Sequence, residues 1–290
     1  MDLDIGVVCD AFGLGLAVTR GLRVAGYYHN EVWRLDTITG AYAVKRLPPS
    51  AAPAVEIEVA AWRAGVPVPE PVPSPATGAY VVPIGDGSVR VHRWLDGKAP
   101  ALGDLSAELS AAMGELVAAV HAAGRAGAPQ EPPRADLSGP AGHPAGHPAG
   151  DPAWGLSGLE AATARPAGVG TLTMSHGDLH PKNALLRFDG SLAIIDWDTA
   201  GPYVAEQEAA GVALDWAARL DGSVDFDRFD AAVSGYRKAG GDIPAEPWVF
   251  GGWVRGYLAF LGGAGRDEPT GTLARLRWVE ANLGALTRRL

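Results

Sequence analysis

Three side chains that carry oxygen donors lie close together in residues 175–202, SHGDLHPKNALLRFDGSLAIIDWDTAGP. The apolar runs NALLRF and AIIDW are typical of short strands, and DGS at 189–191 is typical of a hairpin turn between them. Such a hairpin would bring Asn183 and Asp196 to neighbouring strand ends, where two oxygen ligands suit Mg²⁺. Asp178, in the loop just before, could then accept a hydroxyl proton beside a metal-bound phosphate. The stretch therefore predicts phosphoryl-transfer chemistry.

The residues around this stretch divide into a strand-rich part and a helix-rich part. EVWRLDTITGAYAVKRL (31–47) predicts two strands around a turn, with Ala43 and Lys45 on the same face. PAVEIEVAAWRAG (53–65) predicts a helix that ends at Gly65, and VVPIGDGSVRVHRWL (81–95) predicts a hairpin. Helical spacing returns at 109–120 and dominates from about residue 204 onward. The repeat GPAGHPAGHPAGDPAW (139–154) predicts an exposed loop, because its frequent prolines exclude a helix.

The bulk properties exclude several classes of protein. A formal net charge of −9 argues against nucleic acid as a partner, because phosphate binding requires a surplus of Lys and Arg. Cys9 is the only cysteine, so no internal disulfide can form, and we expect a cytoplasmic protein. No apolar run approaches the ~18 uninterrupted residues of a membrane span. The Gly-x-Gly of FGLGLA (12–17) lacks a preceding strand and a Walker lysine, and it predicts the start of a helix.

Two motifs in the opening stretch resemble those of the aminoglycoside phosphotransferase family, a branch of the protein-kinase-like fold. HGDLHPKN (176–183) is similar to its catalytic loop, and IIDWDTAGP (194–202) to its metal-binding segment. Upstream, AYAVKRL resembles the third-strand lysine motif, VEIEVAAW the helix that supplies the lysine's glutamate partner, and VRVHRWLDG the hinge strand. The resemblance implies an α+β, bilobal fold. Its N-lobe would be a small mixed sheet with one helix (1–95), and its C-lobe would be mainly helical (96–290).

The resemblance also implies roles for individual residues. Asp178 would be the catalytic base, while Asn183 and Asp196 would hold magnesium. Lys45 would hold the inner phosphates of the nucleotide, kept in place by Glu58. Glu56 is the rival for that role, and Glu58 is preferred because Trp62 follows it by four residues. The remaining nucleotide contacts would be the hinge backbone near Arg93, Trp94 and Leu95, and a polar pair near the phosphates, His29 and Asn30.

The sequence departs from the family pattern in three places. AGYYHNEVW (25–33) stands where protein kinases have a glycine-rich loop. PYVAEQEAAG (202–211) replaces the usual acidic segment after the metal site, which leaves Glu206 and Glu208 without an assigned role. Asp198 is open between a metal contact, a substrate contact and a turn residue. His176 and His180 also permit a zinc hydrolase, although the proline at 181 breaks the helix that would place both rings on one face.

The implied function is magnesium-assisted phosphorylation of a small-molecule hydroxyl by ATP or GTP. The first class of acceptor would be an antibiotic of aminoglycoside, nucleoside or peptide type, modified for resistance or self-protection. A metabolic kinase acting on homoserine, an amino alcohol or a sugar uses the same motifs, and so does a catalytically silent nucleotide-binding module. The expected partners are a nucleotide and a small molecule, without nucleic acid or membrane, on a monomer or homodimer.

Overall fold

A computed structural model describes residues 4–25, 31–47, 52–125, 155–264 and 270–290 of the chain. The pair predicted to lie near the phosphates, His29 and Asn30, falls outside the described residues. So does the repeat at 139–154.

The first third of the chain is built on one antiparallel sheet. Its strands are β1 (Leu22–Ala25), β2 (Val32–Thr37), β3 (Gly40–Leu47), β4 (Pro71–Val72), β5 (Val82–Ile84) and β6 (Gly87–Arg93). The strand order is β1-β2-β3-β6-β4, with β5 paired to β6. Every pair in this sheet is antiparallel, where the sequence predicts a mixed sheet. The predicted β2–β3 and β5–β6 hairpins are confirmed.

Two helices cover the sheet. Helix α1 (Ile5–Phe12) ends at Gly13, whose φ is +63°, so the prediction that FGLGLA begins a helix is wrong. The side chains of α1 pack with Val44 and Val91 in one apolar cluster. Helix α2 (Ala52–Arg63) ends before Gly65, as the sequence predicts. Since Val44 and Lys45 are consecutive in a strand, their side chains point to opposite faces of the sheet, and Lys45 shares its face with Arg90, its direct partner on β6.

The second part of the chain is mainly helical. Its helices are α3 (Ala107–Gly124), α4 (Ser157–Ala162), α5 (Ala205–Trp216), α6 (Phe226–Lys238), α7 (Gly251–Ala264) and α8 (Thr270–Thr287). Helices α3 and α6 approach closely because Gly114 and Gly235 face each other's backbones. A Cβ on Gly114 would lie 2.1 Å from the carbonyl oxygen of Ala232, and one on Gly235 would lie 2.1 Å from that of Ala111. None of the described helices is long and apolar enough to cross a membrane.

Two small antiparallel pairs frame the chemically interesting stretch. Strand β7 (Leu172–Ser175) pairs with β10 (Gly201–Val204), and β8 (Ala184–Leu186) pairs with β9 (Leu192–Ile194). The amide of Lys98 donates to the carbonyl of Leu186, and the amide of Leu186 donates back to Lys98. This link ties the segment that leaves the large sheet to the β8–β9 hairpin. The fold therefore joins a sheet-containing lobe and a helical lobe at this hairpin.

Candidate active site

His176 fixes the loop that carries the predicted base. Its side chain is fully buried, and its Nδ1 accepts a hydrogen bond of 3.2 Å from the amide of Asp178. Since Nδ1 accepts, the neutral ring carries its hydrogen on Nε2, which donates to the carbonyl of Ile195 at 2.9 Å. Burial lowers the pKa of His176, which keeps the ring in this neutral form. One ring thus links the loop before Asp178 to the strand before Asp196.

Gly177 is the residue that lets the loop turn. Its φ is +81°, and a Cβ there would lie 2.1 Å from the hydroxyl oxygen of Tyr203. Its amide donates to Oε1 of Glu208 at 2.8 Å, and the other oxygen of Glu208 lies 3.0 Å from Nε2 of His121. The Tyr236 hydroxyl lies 2.9 Å from Nδ1 of His121. Glu208, for which the sequence assigns no role, therefore links this loop to His121 on α3.

Asn183 binds Asp178 directly. Its amide nitrogen Nδ2 donates to the backbone carbonyl of Asp178 at 2.7 Å and to the carboxylate oxygen Oδ2 at 2.8 Å. The Asn183 side chain is buried, whereas about a quarter (26%) of the Asp178 side chain is exposed. Because both bonds use the nitrogen, the oxygen Oδ1 of Asn183 is left as its acceptor.

The β8–β9 hairpin brings Asp196 next to Asn183, which confirms the predicted arrangement of the two strand ends. Ala184 pairs with Ile194, and the amide of Ile195 donates to the carbonyl of Asn183 at 2.9 Å. Asp196 itself has a φ of +63°, the only positive φ of a non-glycine residue in the described ranges. That conformation is uncommon for a residue with a side chain, although Asp adopts it more readily than most, and such residues cluster at functional sites. Asp196 is also half exposed, at 48% of its side chain.

Lys45 reaches across to this segment from β3. Its Nζ lies 2.5 Å from the carboxylate of Asp196 and 2.6 Å from that of Asp198. Burial by itself raises the pKa of Asp196, but the attraction and hydrogen bond of Lys45, with a weaker attraction from Arg90, outweigh it and lower that pKa. Asp196 is therefore held ionised, as a metal ligand requires.

Glu58 is not the direct partner of Lys45, which corrects the predicted pair. No ion pair joins these two side chains, although both lie in the described part of the chain. Glu58 instead binds Nη1 of Arg90 at 2.5 Å and Nε2 of His92 at 3.1 Å. Burial acts to raise the pKa of Glu58, yet Arg90 and His92 lower it to about 2. The preference for Glu58 over Glu56 agrees with burial, since Glu58 is 2% exposed and Glu56 lies on the surface.

The predicted hinge residues follow β6 in an extended segment. The amide of Arg93 donates to the carbonyl of Glu70, and the amide of Trp94 donates to that of Ala41, both at 2.9 Å. The amide of Leu95 makes no hydrogen bond to any other described residue. The side chain of Arg93 forms an ion pair with Glu70, and the ring nitrogen of Trp94 donates to Asp96. Of these three amides, only that of Leu95 is left to donate a hydrogen bond to the adenine or guanine of a nucleotide.

A second polar cluster adjoins Asp178 on the helical side. Nε2 of His180 lies 3.3 Å from Asp178, and its Nδ1 lies 3.6 Å from Asp215. Asp215, on α5, also accepts hydrogen bonds from Trp253 (3.0 Å) and Tyr257 (2.8 Å) on α7. Arg275 on α8 completes the cluster, with its Nη1 3.3 Å from Asp215 and 3.0 Å from the Tyr257 hydroxyl. Nothing in the sequence pattern identifies these helical residues.

The geometry speaks against the zinc hydrolase. Both ring nitrogens of His176 are already bound to protein atoms, and the ring is fully buried. It cannot bind a metal together with His180 unless at least one of these hydrogen bonds breaks. Moreover, no group of three or more His, Cys, Asp or Glu side chains in the described ranges has metal-binding geometry.

Comparisons with known proteins agree with this geometry. The model of the phosphotransferase enzyme family matches residues 21–241. A search of curated proteins gives no significant match. Among solved structures, a spectinomycin phosphotransferase bound to ADP and spectinomycin has a TM-score of 0.66 at 12% identity, over 99% of this chain and 98% of that one.

Two further solved structures share the fold. An amicoumacin kinase in complex with AMP-PNP, Ca²⁺ and Ami has a TM-score of 0.66 at 16% identity, over 98% of this chain and 94% of that one. A microcompartment-associated aminopropanol kinase has a TM-score of 0.63 at 18% identity, over 99% and 97%. The bilobal α+β fold predicted from the sequence is thereby confirmed. The chain belongs to the phosphotransferase enzyme family and is a small-molecule phosphotransferase whose acceptor is an alcohol group.

Proposed function

We propose that the chain transfers the terminal phosphoryl group of ATP to a hydroxyl of an amine-bearing small molecule, with magnesium bound at Asn183 and Asp196. The observation that carries this proposal is that hydrogen bonds join Asp178, Asn183 and the segment of Asp196 in one unit. Lys45 is bound to Asp196 in the same unit. A base, two oxygen ligands and a phosphate-binding cation are the parts that phosphoryl transfer requires.

Asp178 orients the acceptor hydroxyl and accepts its proton. Asn183 holds one of its carboxylate oxygens, so the orientation of the carboxylate is fixed before the substrate binds. Nζ of Lys182, whose side chain is 69% exposed, lies 3.8 Å from the Asp178 carboxylate. The half-buried position of Asp178 keeps the carboxylate accessible from the cleft.

The donor set of Asn183 and Asp196 fits a hard divalent cation. The Asn183 nitrogen donates to Asp178, which leaves the Asn183 oxygen as a possible ligand, and the half-exposed Asp196 supplies a carboxylate. When bound, magnesium would neutralise charge on the phosphoryl group during transfer. Lys45 would bind the inner phosphates, and the Leu95 amide would bind the base of the nucleotide. Lys45 is already 93% buried at the end of this site, which strengthens its attraction for phosphate.

The acceptor side favours an amine. Asp178, whose side chain is 26% exposed, lies 3.3 Å from Nε2 of His180. Asp215 is already paired with Arg275, so Asp178 is the carboxylate left to attract an ammonium group, beside the rings of His180 and Tyr257, whose centroids are 6.0 Å apart. Antibiotics of the kinds named for the spectinomycin and amicoumacin enzymes are the first class of acceptor that we propose for this chain. An amino alcohol is the second, because the aminopropanol kinase shares the fold to a similar degree.

The test is mass spectrometry of products after incubation with ATP or GTP, Mg²⁺ and a mixed panel of amine-bearing antibiotics, amino alcohols and sugars. Asp178→Asn should abolish the product. Asp189→Asn is the matched control, since Asp189 lies in the same stretch but is exposed and bonds only within its own turn, to Ser191 and Arg187. One species that gains a phosphate, absent only with Asp178→Asn, would support the proposal and name the acceptor. A product that persists with Asp178→Asn would contradict the role of the base.

A further inference from the structure

Two cations lie side by side on the sheet. Lys45 and Arg90 are direct cross-strand partners on β3 and β6, and they are 7% and 3% exposed. Like charges directly opposite each other in a sheet destabilise it, and burial increases their repulsion. This pair of cations therefore requires carboxylates that neutralise both charges and fix the positions of both side chains.

The carboxylates form an alternating chain with the two cations. Glu58 on α2 binds Nη1 of Arg90 at 2.5 Å, and Nη2 of Arg90 binds Asp198 at 3.1 Å. Asp198 in turn binds Lys45 at 2.6 Å through its other oxygen. Arg90 thus uses the two ends of its planar guanidinium on two different carboxylates, and Asp198 uses its two oxygens on two different cations. A lysine in place of Arg90 would lack this forked geometry.

Asp198 is anchored independently of Asp196. It lies in the 3-10 helix Trp197–Thr199, in which Trp197 is fully buried. The Thr199 hydroxyl donates to the carbonyl of His176 at 2.8 Å. If Asp196 turns from Lys45 to a metal ion, Asp198 remains on Lys45, because its own position depends on the buried tryptophan and on Arg90.

We propose that Arg90 and Asp198 are positioning residues for the phosphate-binding Lys45, and that they connect it to Glu58 on α2. This relay replaces the direct Lys45–Glu58 pair. It rests on the proposed function, since Lys45 must bind phosphate for its orientation to matter. It also assigns Asp198 to the lysine instead of to the metal, one of the three roles that the sequence leaves open.

The experiment measures the binding of a fluorescent ADP analogue, N-methylanthraniloyl-ADP, in EDTA and again in Mg²⁺. Arg90→Met and Asp198→Asn should each weaken binding about tenfold in both conditions, the loss expected for one misplaced charge-assisted contact. Asp196→Asn should weaken binding only when Mg²⁺ is present. Arg46→Met is the matched control, because Arg46 is the next residue on β3 and binds the exposed Asp86.

Two further variants separate the relay from a general loss of structure. Arg90→Lys keeps the charge and should still weaken binding, whereas a requirement for charge alone predicts full rescue. The double variant Arg90→Met with Asp198→Asn should bind no more weakly than Arg90→Met, because both changes break the same connection. Thermal unfolding of each variant without ligand verifies that the folded protein is being compared.

Three results would contradict these expectations. If Asp198→Asn weakens binding only in Mg²⁺, Asp198 is a metal ligand and the relay is wrong. If the unaltered chain binds the nucleotide and the folded Arg90 variants bind it equally well, the relay alone fails. If the unaltered chain binds no nucleotide in either condition, the proposed function fails together with the relay.

Discussion

Glu208 offers the most direct test of how the loop that carries Asp178, the proposed base, is held. Its side chain is 7% exposed and contacts Gly177, the residue before the proposed base, as well as His121. Burial acts to raise the pKa of Glu208, but the bonds from His121 and the Gly177 amide prevail and lower it, so the carboxylate is ionised. Glu208→Ala would leave the Gly177 amide and the His121 ring without their acceptor inside the protein.

The size of the loss follows from these two contacts. A hydrogen bond to a charged group contributes about 1.5–3 kcal/mol, so the removal of both should reduce the free energy of unfolding by about 3–6 kcal/mol. Since a domain has a total stability of about 5–15 kcal/mol, this is a large fraction. Glu208→Gln should lose less, because an amide keeps the shape and can still accept from the Gly177 amide.

Urea unfolding followed by tryptophan fluorescence measures these differences. Glu206→Ala is the matched control, two positions earlier on α5. The Glu206 carboxylate also accepts hydrogen bonds from the amide and the hydroxyl of Thr171, at 2.8 and 2.7 Å, but it does so at the surface. Because water can replace hydrogen bonds lost at the surface, its removal should cost less than that of Glu208, about 1 kcal/mol. If Glu208→Ala loses no more stability than Glu206→Ala, the loop does not depend on this carboxylate and our explanation of its geometry is refuted.

Three other predictions concern the same framework. In urea unfolding, Gly177→Ala should lower the free energy of unfolding by at least about 2 kcal/mol, because of its positive φ and the contact of the new Cβ with Tyr203. Adding Tyr203→Ala should recover part of that loss, and additive losses would argue against the contact. Because burial lowers the pKa of His176, folding favours the neutral ring, so stability should fall as the pH drops below about 6.5; buried Glu58, with a pKa of about 2, should add a second loss below about pH 4.5. Thermal unfolding from pH 8 to 3 checks both stages, and His176→Gln should show only the second. Gly114→Ala should lose about 1–3 kcal/mol because α3 and α6 must separate, whereas Gly262→Ala, on α7 with open space around it, should be neutral or stabilising; equal effects would contradict the close approach.

The arrangement of the proposed catalytic stretch could be predicted because its geometry is local. Asn183 and Asp196 are joined by a hairpin whose turn, DGS, is readable in the sequence, and the register of so short a hairpin has few alternatives. Asp178 lies only five residues before Asn183, close enough for the direct hydrogen bond between them. The chain between these residues leaves little freedom, so spacing alone nearly fixes their relative positions.

The partner of Lys45 could not be predicted in the same way. Arg90 faces Lys45 through the register of β3 against β6, which are separated in sequence by α2, β4 and β5. An arginine in an alternating strand normally reads as a solvent-exposed residue, and only the packing of α2 against that face reveals it as buried. The family motif therefore pointed to Glu58, which is buried on α2, but not to its contact with Arg90 in place of Lys45.

The proposed acceptor side shows why a phosphotransferase sequence reveals its reaction more readily than its substrate. Asp215, Tyr257 and Arg275 come from α5, α7 and α8, and each meets the others only through the packing of the helical lobe. Phosphate and metal chemistry demands the same few donors in any substrate context, so those residues stay in a recognisable order. An acceptor needs only complementary charge and shape, which helices from distant parts of the chain can supply in many combinations. We therefore propose that the specificity of this chain lies in contacts such as Asp215 with Tyr257, which no spacing rule predicts.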